Sequence, residues 1–170
     1  MQSTKSTVPI SLHEATAEDL PRIENLMQFY NYDLSEFWPV EFSATGLYAL
    51  RPKEAYWAKP SVRPYIAKID GELAGFAVVD DEVQDPQSQF NLGYFFLGRR
   101  YRGSGAAQEM LRLLFERHPG RWEVYFFVDN LPAARFWPKA IAQQTGDQEV
   151  LVTDTDSDGL PCRLYRFSSL

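Results

Sequence analysis

Apolar residues recur every three or four positions at Leu20, Ile23, Leu26, Met27 and Tyr30, a spacing that predicts one helix with a continuous apolar stripe. Thr16 is placed to cap its start, with Glu18 and Asp19 in the first turn, where the positive end of the helix dipole favours acids. Residues 10–15, just before it, read as a strand. Residues 65–69 and 73–80 flank Asp70-Gly71, a pair suited to the positive φ of a tight turn, and predict a hairpin. Residues 81–88 form a polar loop containing Pro86. The apolar run 90–97 predicts a buried strand. After it Ala106, Met110, Leu113 and Leu114 mark a helix that reaches Arg117, and Pro119-Gly120 breaks the chain. Aromatic and β-branched residues dominate 122–128, a further strand, and a helix entered through Pro132 runs to about Gln144. Residues 149–153 and 163–167 close the chain as a second hairpin. Between Tyr32 and Pro60 the pattern is mixed and predicts short helices near 33–37 and 45–50, broken by Pro39, Pro52 and Pro60. The whole is an alternating α/β layout that reads as one domain over residues 1–170, with 1–8 as a disordered tail.

The strand 90–97 meets Gly98-Arg99-Arg100-Tyr101-Arg102-Gly103-Ser104-Gly105, and the next helix follows at once. Strand, glycine turn and helix start together suit an anion. The first helical N–H groups lack intrahelical acceptors, the dipole favours negative charge, and glycines admit close approach of a ligand. A Walker loop would need Lys and Ser or Thr after its last glycine, and neither stands there. A dinucleotide fingerprint would need a glycine where Gln108 stands, although Asp129 lies near the distance expected for its acidic residue. Arg100-Tyr101-Arg102-Gly103-Ser104-Gly105 matches a third pattern at every position, the Q/R-x-x-G-x-G/A signature. In this the chain resembles the GNAT superfamily of acyl-CoA-dependent N-acetyltransferases, in particular its small bacterial-type members. A second segment carries the same resemblance: strand 122–128 ends at Asp129-Asn130, and Ala133, Phe136 and Trp137 follow at the spacing of the element that lines the pantetheine arm of CoA in that superfamily. The likeness spans residues 10–141 and is sharpest from Phe90 to Trp137.

The resemblance implies a mixed, mostly antiparallel central sheet flanked by helices, with a splayed strand pair forming the CoA site. It implies transfer of acetyl from acetyl-CoA to a primary amine of a small molecule or peptide by direct attack. The donor site would comprise Phe95, Phe96, Leu97, Arg100, Arg102, Gly103, Ser104, Gly105, Ala106, Ala107, Asn130, Ala133, Phe136 and Trp137. The backbone N–H of Phe96 or Leu97 would polarise the thioester oxygen. The carboxylate that many members carry midway along the strand before the loop is Asn91 here, and the tyrosine they place seven residues after the asparagine is Trp137, whose indole is too weak an acid to serve. Asp33, Glu36 and Glu41 remain as candidate bases, and Tyr94 and Tyr125 as candidate acids. Simple alternation along the strand would put Tyr94 on one face with Leu92 and Phe96, and Asn91 on the other with Phe95. Tyr30, Tyr32, Phe37, Trp38, Tyr48, Tyr56 and Trp57 crowd the half of the chain where members build the acceptor pocket. A non-catalytic acyl-CoA-binding sensor or regulatory module is the alternative, and a nucleotide-binding domain that uses the turn differently is a third reading.

Composition narrows the classes. With 170 residues, 45% of them hydrophobic, the chain can bury a substantial core, and its net charge of −6 argues against nucleic acid as a partner. The expectations are no membrane partner, a cytoplasmic location, and a monomer or homodimer; the lone Cys162 fits a reducing interior. Acids concentrate between Glu14 and Glu41 and arginines between Arg99 and Arg121, which would suit a polyanionic donor on one side and a cationic acceptor on the other. Asp154-Thr155-Asp156-Ser157-Asp158-Gly159 imitates a calcium loop, but its twelfth position is Tyr165, so a hairpin turn is expected there. His13 and His118 have no ligand spacing around them, and no metal site is expected.

Overall fold

A computed structural model describes residues 9–169, and the predicted tail at 1–8 lies outside them. Seven strands form one sheet: β1 (Ile10–Glu14), β2 (Arg63–Ile69), β3 (Glu72–Asp80), β4 (Phe90–Leu97), β5 (Arg121–Phe127), β6 (Leu151–Ser157) and β7 (Leu160–Ser168). The spatial order is β1-β2-β3-β4-β5-β7-β6, and every neighbouring pair is antiparallel except β4 and β5. Helices α1 (Leu20–Leu34) and α2 (Glu54–Trp57) cover one face, and α3 (Ala106–Arg117) and α4 (Leu131–Thr145) the other. On the first face Ile23 and Met27 of α1 bury against Ile66, Phe76, Val78 and Phe96. On the second, Met110, Leu111 and Leu114 of α3 and Trp137 and Ile141 of α4 bury against Ala77, Val79, Leu92 and Val124. These helical residues repeat at three- and four-residue spacing, so burial of one stripe per helix holds the layers together.

Both Asp-Gly pairs are hairpin turns with positive φ at the two central residues, 51° and 79° at Asp70-Gly71 and 52° and 79° at Asp158-Gly159. Residues 154–157, expected within the second turn, instead extend β6, because that turn needs only two residues. The N-terminal half departs further from expectation. Residues 33–37 are not a separate helix; α1 continues to Leu34. Residues 45–50 contain no helix but a small loop closed by a bridge between Phe42 and Tyr48, with Gly46 at φ 83°. The short helix lies later, at α2, after Pro52.

Strand β4 breaks its own alternation. Val78 pairs with Tyr94 and Val79 with Leu92, so Gly93 is an extra residue bulged out of the ladder. Leu92 and Phe95 therefore face α3 and α4, whereas Tyr94 and Phe96 face α1. The expected grouping of Leu92 with Tyr94 and Phe96 fails for this reason. Asn91 likewise does not share a face with Phe95; its amide reaches Asp80 at 2.9 Å on the side of α2.

Candidate functional site

Strands β4 and β5 are registered only at Phe90 with Trp122 and at Asn91 with Glu123. From Leu92 and Val124 onward they have no ladder partner across the gap, which opens into a cleft of about 760 Å³ between the two helical layers. Among the described residues, the backbone N–H groups of β4 that face the gap thus have no ladder partner there, while Leu97 O is taken by Arg102.

One end of the cleft is the glycine loop. Gly98 N–H bonds to Ala74 O at 2.8 Å and ends β4, a single turn follows at Arg99–Tyr101, and Gly103 and Gly105 take φ of 78° and 87°. Among the described residues no atom would lie within 4 Å of a Cβ on Gly103. Among the described residues no side chain caps α3, and its first bond runs from Glu109 N–H to Gly105 O at 3.2 Å. The N–H groups of Ala106, Ala107 and Gln108 are therefore without helical acceptors, the arrangement that receives a phosphate. Arg102 donates from Nε to Leu97 O at 2.8 Å and from its terminal nitrogen to Asp33 at 2.6 Å; Arg99 reaches the other Asp33 oxygen at 2.7 Å. Burial alone would raise the Asp33 carboxyl, but the two guanidiniums outweigh it and hold the group below the ordinary carboxylate range.

The structure brings Asp33, Glu36, Tyr94, Phe95, Phe96, Leu97, Arg102, Gly103, Gly105, Ala107, Tyr125, Asn130, Ala133, Phe136 and Trp137 onto the cleft wall. Arg100, Ser104 and Ala106 are not part of that wall. The Arg100 guanidinium lies over the Tyr101 ring, the Ser104 hydroxyl donates to Tyr101 O at 2.7 Å, and the Ala106 methyl is buried against Ala74 and Leu97. Asn130 accepts from Ala133 N–H at 3.1 Å and so caps α4 as well as lining the cleft. Trp137 packs edge-on against Phe95 with ring centroids 5.3 Å apart.

The opposite wall is aromatic. Tyr30 meets Tyr94 edge-on at 5.3 Å, and Phe37 and Trp38 close the side, with Arg51 stacked 4.4 Å over Trp38 and ion-paired to Asp158. Burial is the main cause that pushes the Tyr94 phenol up to about 12, and it raises Tyr125 as well, so both are neutral hydroxyls at physiological pH. Of the other expected aromatics, Tyr32 points to solvent, Tyr48 stacks on Phe42, and Tyr56 donates to Asp80 at 2.6 Å. Glu41 is exposed and stands off the cleft wall. Sequence reasoning missed Gly93, Asp80 and Arg51. A glycine within an apolar strand run is a signal for a bulge and could have found the first; the other two become visible only through distant partners. Among the described residues no His, Cys, Asp and Glu cluster could hold a metal ion, and no helix is long and apolar enough to cross a membrane.

Known proteins share both the sequence pattern and the fold. The sequence profile of the Acetyltransferase (GNAT) family matches residues 23–141. Solved structures share the fold at low identity. One is spermidine N-acetyltransferase from Vibrio cholerae in complex with CoA and spermine, 16% identical with a TM-score of 0.60 over 95% of this chain and 96% of that one. Another is an acetyltransferase from Thermus thermophilus, 15% identical with a TM-score of 0.59 over 94% and 96%. No curated protein matches the chain in sequence.

Proposed function

The chain belongs to the Acetyltransferase (GNAT) family, and from that membership we propose that this acyltransferase carries acetyl from acetyl-CoA to a primary amine of a small molecule or peptide, by direct attack within the cleft, and that its 170 residues act as a single catalytic domain. The observation that carries the reading is the meeting of two features in one cavity. The loop with positive φ at Gly103 and Gly105, ahead of the uncapped start of α3, opens into the gap where β4 leaves β5.

The residues fit the donor. A diphosphate would be received by the N–H groups at the start of α3 and by Arg99 and Arg102, and a pantetheine arm by Asn130, Ala133 and Phe136. Acetyl-CoA supplies an activated acetyl group. The protein's part is to align it, to aim the backbone N–H of Leu97 at the oxygen that gains charge, since that of Phe96 points toward β3, and to keep water away with Phe95 and Trp137. One such N–H contributes about 3 kcal/mol where charge develops. Tyr94 and Tyr125, neutral hydroxyls on the cleft wall, would return a proton to the departing sulfur. The acceptor would enter between Tyr30, Trp38 and Tyr94.

Calorimetric titration of acetyl-CoA into the wild type and into Gly103→Glu tests the reading. The expected result is micromolar binding that the variant loses while keeping its circular dichroism, because the new carboxylate enters an anion site at a backbone φ of 78° that suits only glycine. Release of free CoA thiol in the presence of a panel of primary amines then separates turnover from the binding-only behaviour of a sensor. A folded wild type that does not bind acetyl-CoA would overturn the proposal.

A further inference from the structure

The acids that would suit a cationic acceptor do not stand where an acceptor would enter. Of the seven between Glu14 and Glu41, only Asp33 and Glu36 reach the cleft wall. Asp33 is bonded to Arg99 and Arg102, and the Glu36 charge acts on Arg99, so both face the donor end. The third cation on that wall, among the described residues, is Arg51, and it lies at the aromatic end. Its guanidinium stacks 4.4 Å over the Trp38 ring. The phenols of Tyr30, Tyr94 and Tyr125 all lie within its field, and of the charged groups around Tyr94 it acts most strongly. The acceptor half of the cleft is therefore marked by a positive group, opposite to what the acid-rich stretch suggests.

Most of the hydrogen-bonding capacity of Arg51 is unused. A guanidinium carries five N–H donors, and the protein engages one terminal nitrogen, with Asp158 in the tight turn between β6 and β7. Among the described residues, Nε and the other terminal nitrogen have no acceptor. The two side chains of the pair are 53% and 54% exposed, so an incoming carboxylate can join or replace Asp158 at small cost. Stacking on Trp38 meanwhile fixes the plane of the group. Ser157, next to Asp158 in the chain, also lines the cleft and faces the Tyr125 hydroxyl, which adds neutral donors on the same side.

Resting on the reading of the cleft as the site of acetyl transfer to an amine, we propose that Arg51 selects the acceptor, and that the acceptor is a primary amine carrying a carboxylate, an amino acid rather than a polyamine. The carboxylate meets the free edge of the Arg51 guanidinium, whose planar fork suits two parallel N–H···O bonds. The body of the acceptor lies along the aromatic wall of Tyr30, Trp38 and Tyr94, and its amine points toward the end of β4, where the thioester would be aligned. Asp158 is then a positioning residue, which keeps the guanidinium turned to the cleft from a loop that belongs to the opposite end of the sheet. A polyamine would bring its second cation against Arg51 and be repelled.

The test is release of free CoA thiol with matched acceptors, beside calorimetry of acetyl-CoA, for the wild type, Arg51→Gln and Arg51→Lys. The acceptors are α-amino acids and ω-amino acids of increasing length, the carboxamide of each, and spermidine. The wild type is expected to favour the best carboxylate over its own amide and over spermidine by roughly 10–100-fold in kcat/KM, the range of a charge-assisted hydrogen bond. Arg51→Gln should raise KM for that carboxylate until acid and amide become equal, with acetyl-CoA still bound. Arg51→Lys keeps the charge without the fork and should recover part of the preference. A wild type that favours the amides or spermidine, or an Arg51→Gln that discriminates as the wild type does, would overturn the assignment and leave acetyl transfer standing. A wild type that binds acetyl-CoA yet turns over no amine would instead overturn the transfer reading, and this inference with it.

Discussion

Replacing Asp33 with alanine asks whether the glycine loop keeps its arginines engaged until the donor arrives. In the structure Arg99 and Arg102 donate to the two Asp33 oxygens at 2.7 and 2.6 Å, so the guanidiniums that would meet a diphosphate already carry a carboxylate. The Asp33 side chain is 25% exposed and those of Arg99 and Arg102 are 73% and 42% exposed. The half-exposed pair with Arg102 contributes roughly 0.2–1 kcal/mol, so up to about 1 kcal/mol of stability rests on Asp33. A diphosphate using the same arginines must displace the carboxylate and forfeit that amount. Since ~1.4 kcal/mol is tenfold in affinity, its removal should tighten acetyl-CoA binding by up to about fivefold. Calorimetry at low salt is the assay, and the gain should shrink at about 0.5 M salt, where the Debye length falls to a few ångströms. Urea unfolding should show the matching loss of stability. Because the folded Asp33 carboxyl lies below its ordinary value of 3.8, its contribution is present above that pH and is lost as the pH falls through the lower folded value; the variant lacks this acid-side loss. Weaker acetyl-CoA binding in the variant would refute the reasoning and make Asp33 a residue that orients the arginines.

Two further outcomes follow from single contacts. Asn130→Ala removes the acceptor for Ala133 N–H at the start of α4 and should cost about 1 kcal/mol in urea unfolding, whereas Asn130→Asp should keep the cap; equal losses in both would show that the bond does not stabilise the helix. Burial, with Arg63 and Arg117 adding to it, holds His118 below its ordinary value of 6.5, so the unfolded chain takes up that proton first and stability falls as the pH drops through 6.5. His118→Gln should flatten this part of the stability profile, and an unchanged slope between about pH 7 and 5 would assign it to other groups.

What can be read along the chain is what a short segment decides for itself. Asp70-Gly71 specifies its turn because two adjacent residues accept positive φ, and the loop from Gly98 to Gly105 carries its meaning in glycine spacing and the helix that follows. Residues 32–60 are poorly legible because their conformation is set by distant partners. Gln28 of α1 holds Tyr48 through both backbone groups, at 3.0 and 2.8 Å, which makes a loop of a stretch that has helical spacing. The pairing of Asp33 with Arg99 and Arg102 spans more than sixty residues and leaves no local mark. For the same reason an acid-rich stretch can suggest a cationic acceptor without revealing that Asp33 is already paired with two arginines.

Gly93 shows how one residue can hide several such facts at once. A bulge bends its strand and increases its twist, and this one falls shortly after Asn91, the last β4 residue paired with β5. The bend accounts for why the two strands part there, and so for the cleft. The extra residue also shifts the alternation, turning Tyr94 and Phe96 toward α1 while Phe95 stays with α4, so a single strand lines both walls. Only a residue without a side chain leaves room for the Asp80 carboxylate behind it. Strand periodicity treats positions 90–97 as one unbroken run, and on that basis it assigns the faces in the wrong combination. The ladder with β3 decides the matter, because a bulge exists only relative to the strand it is paired with.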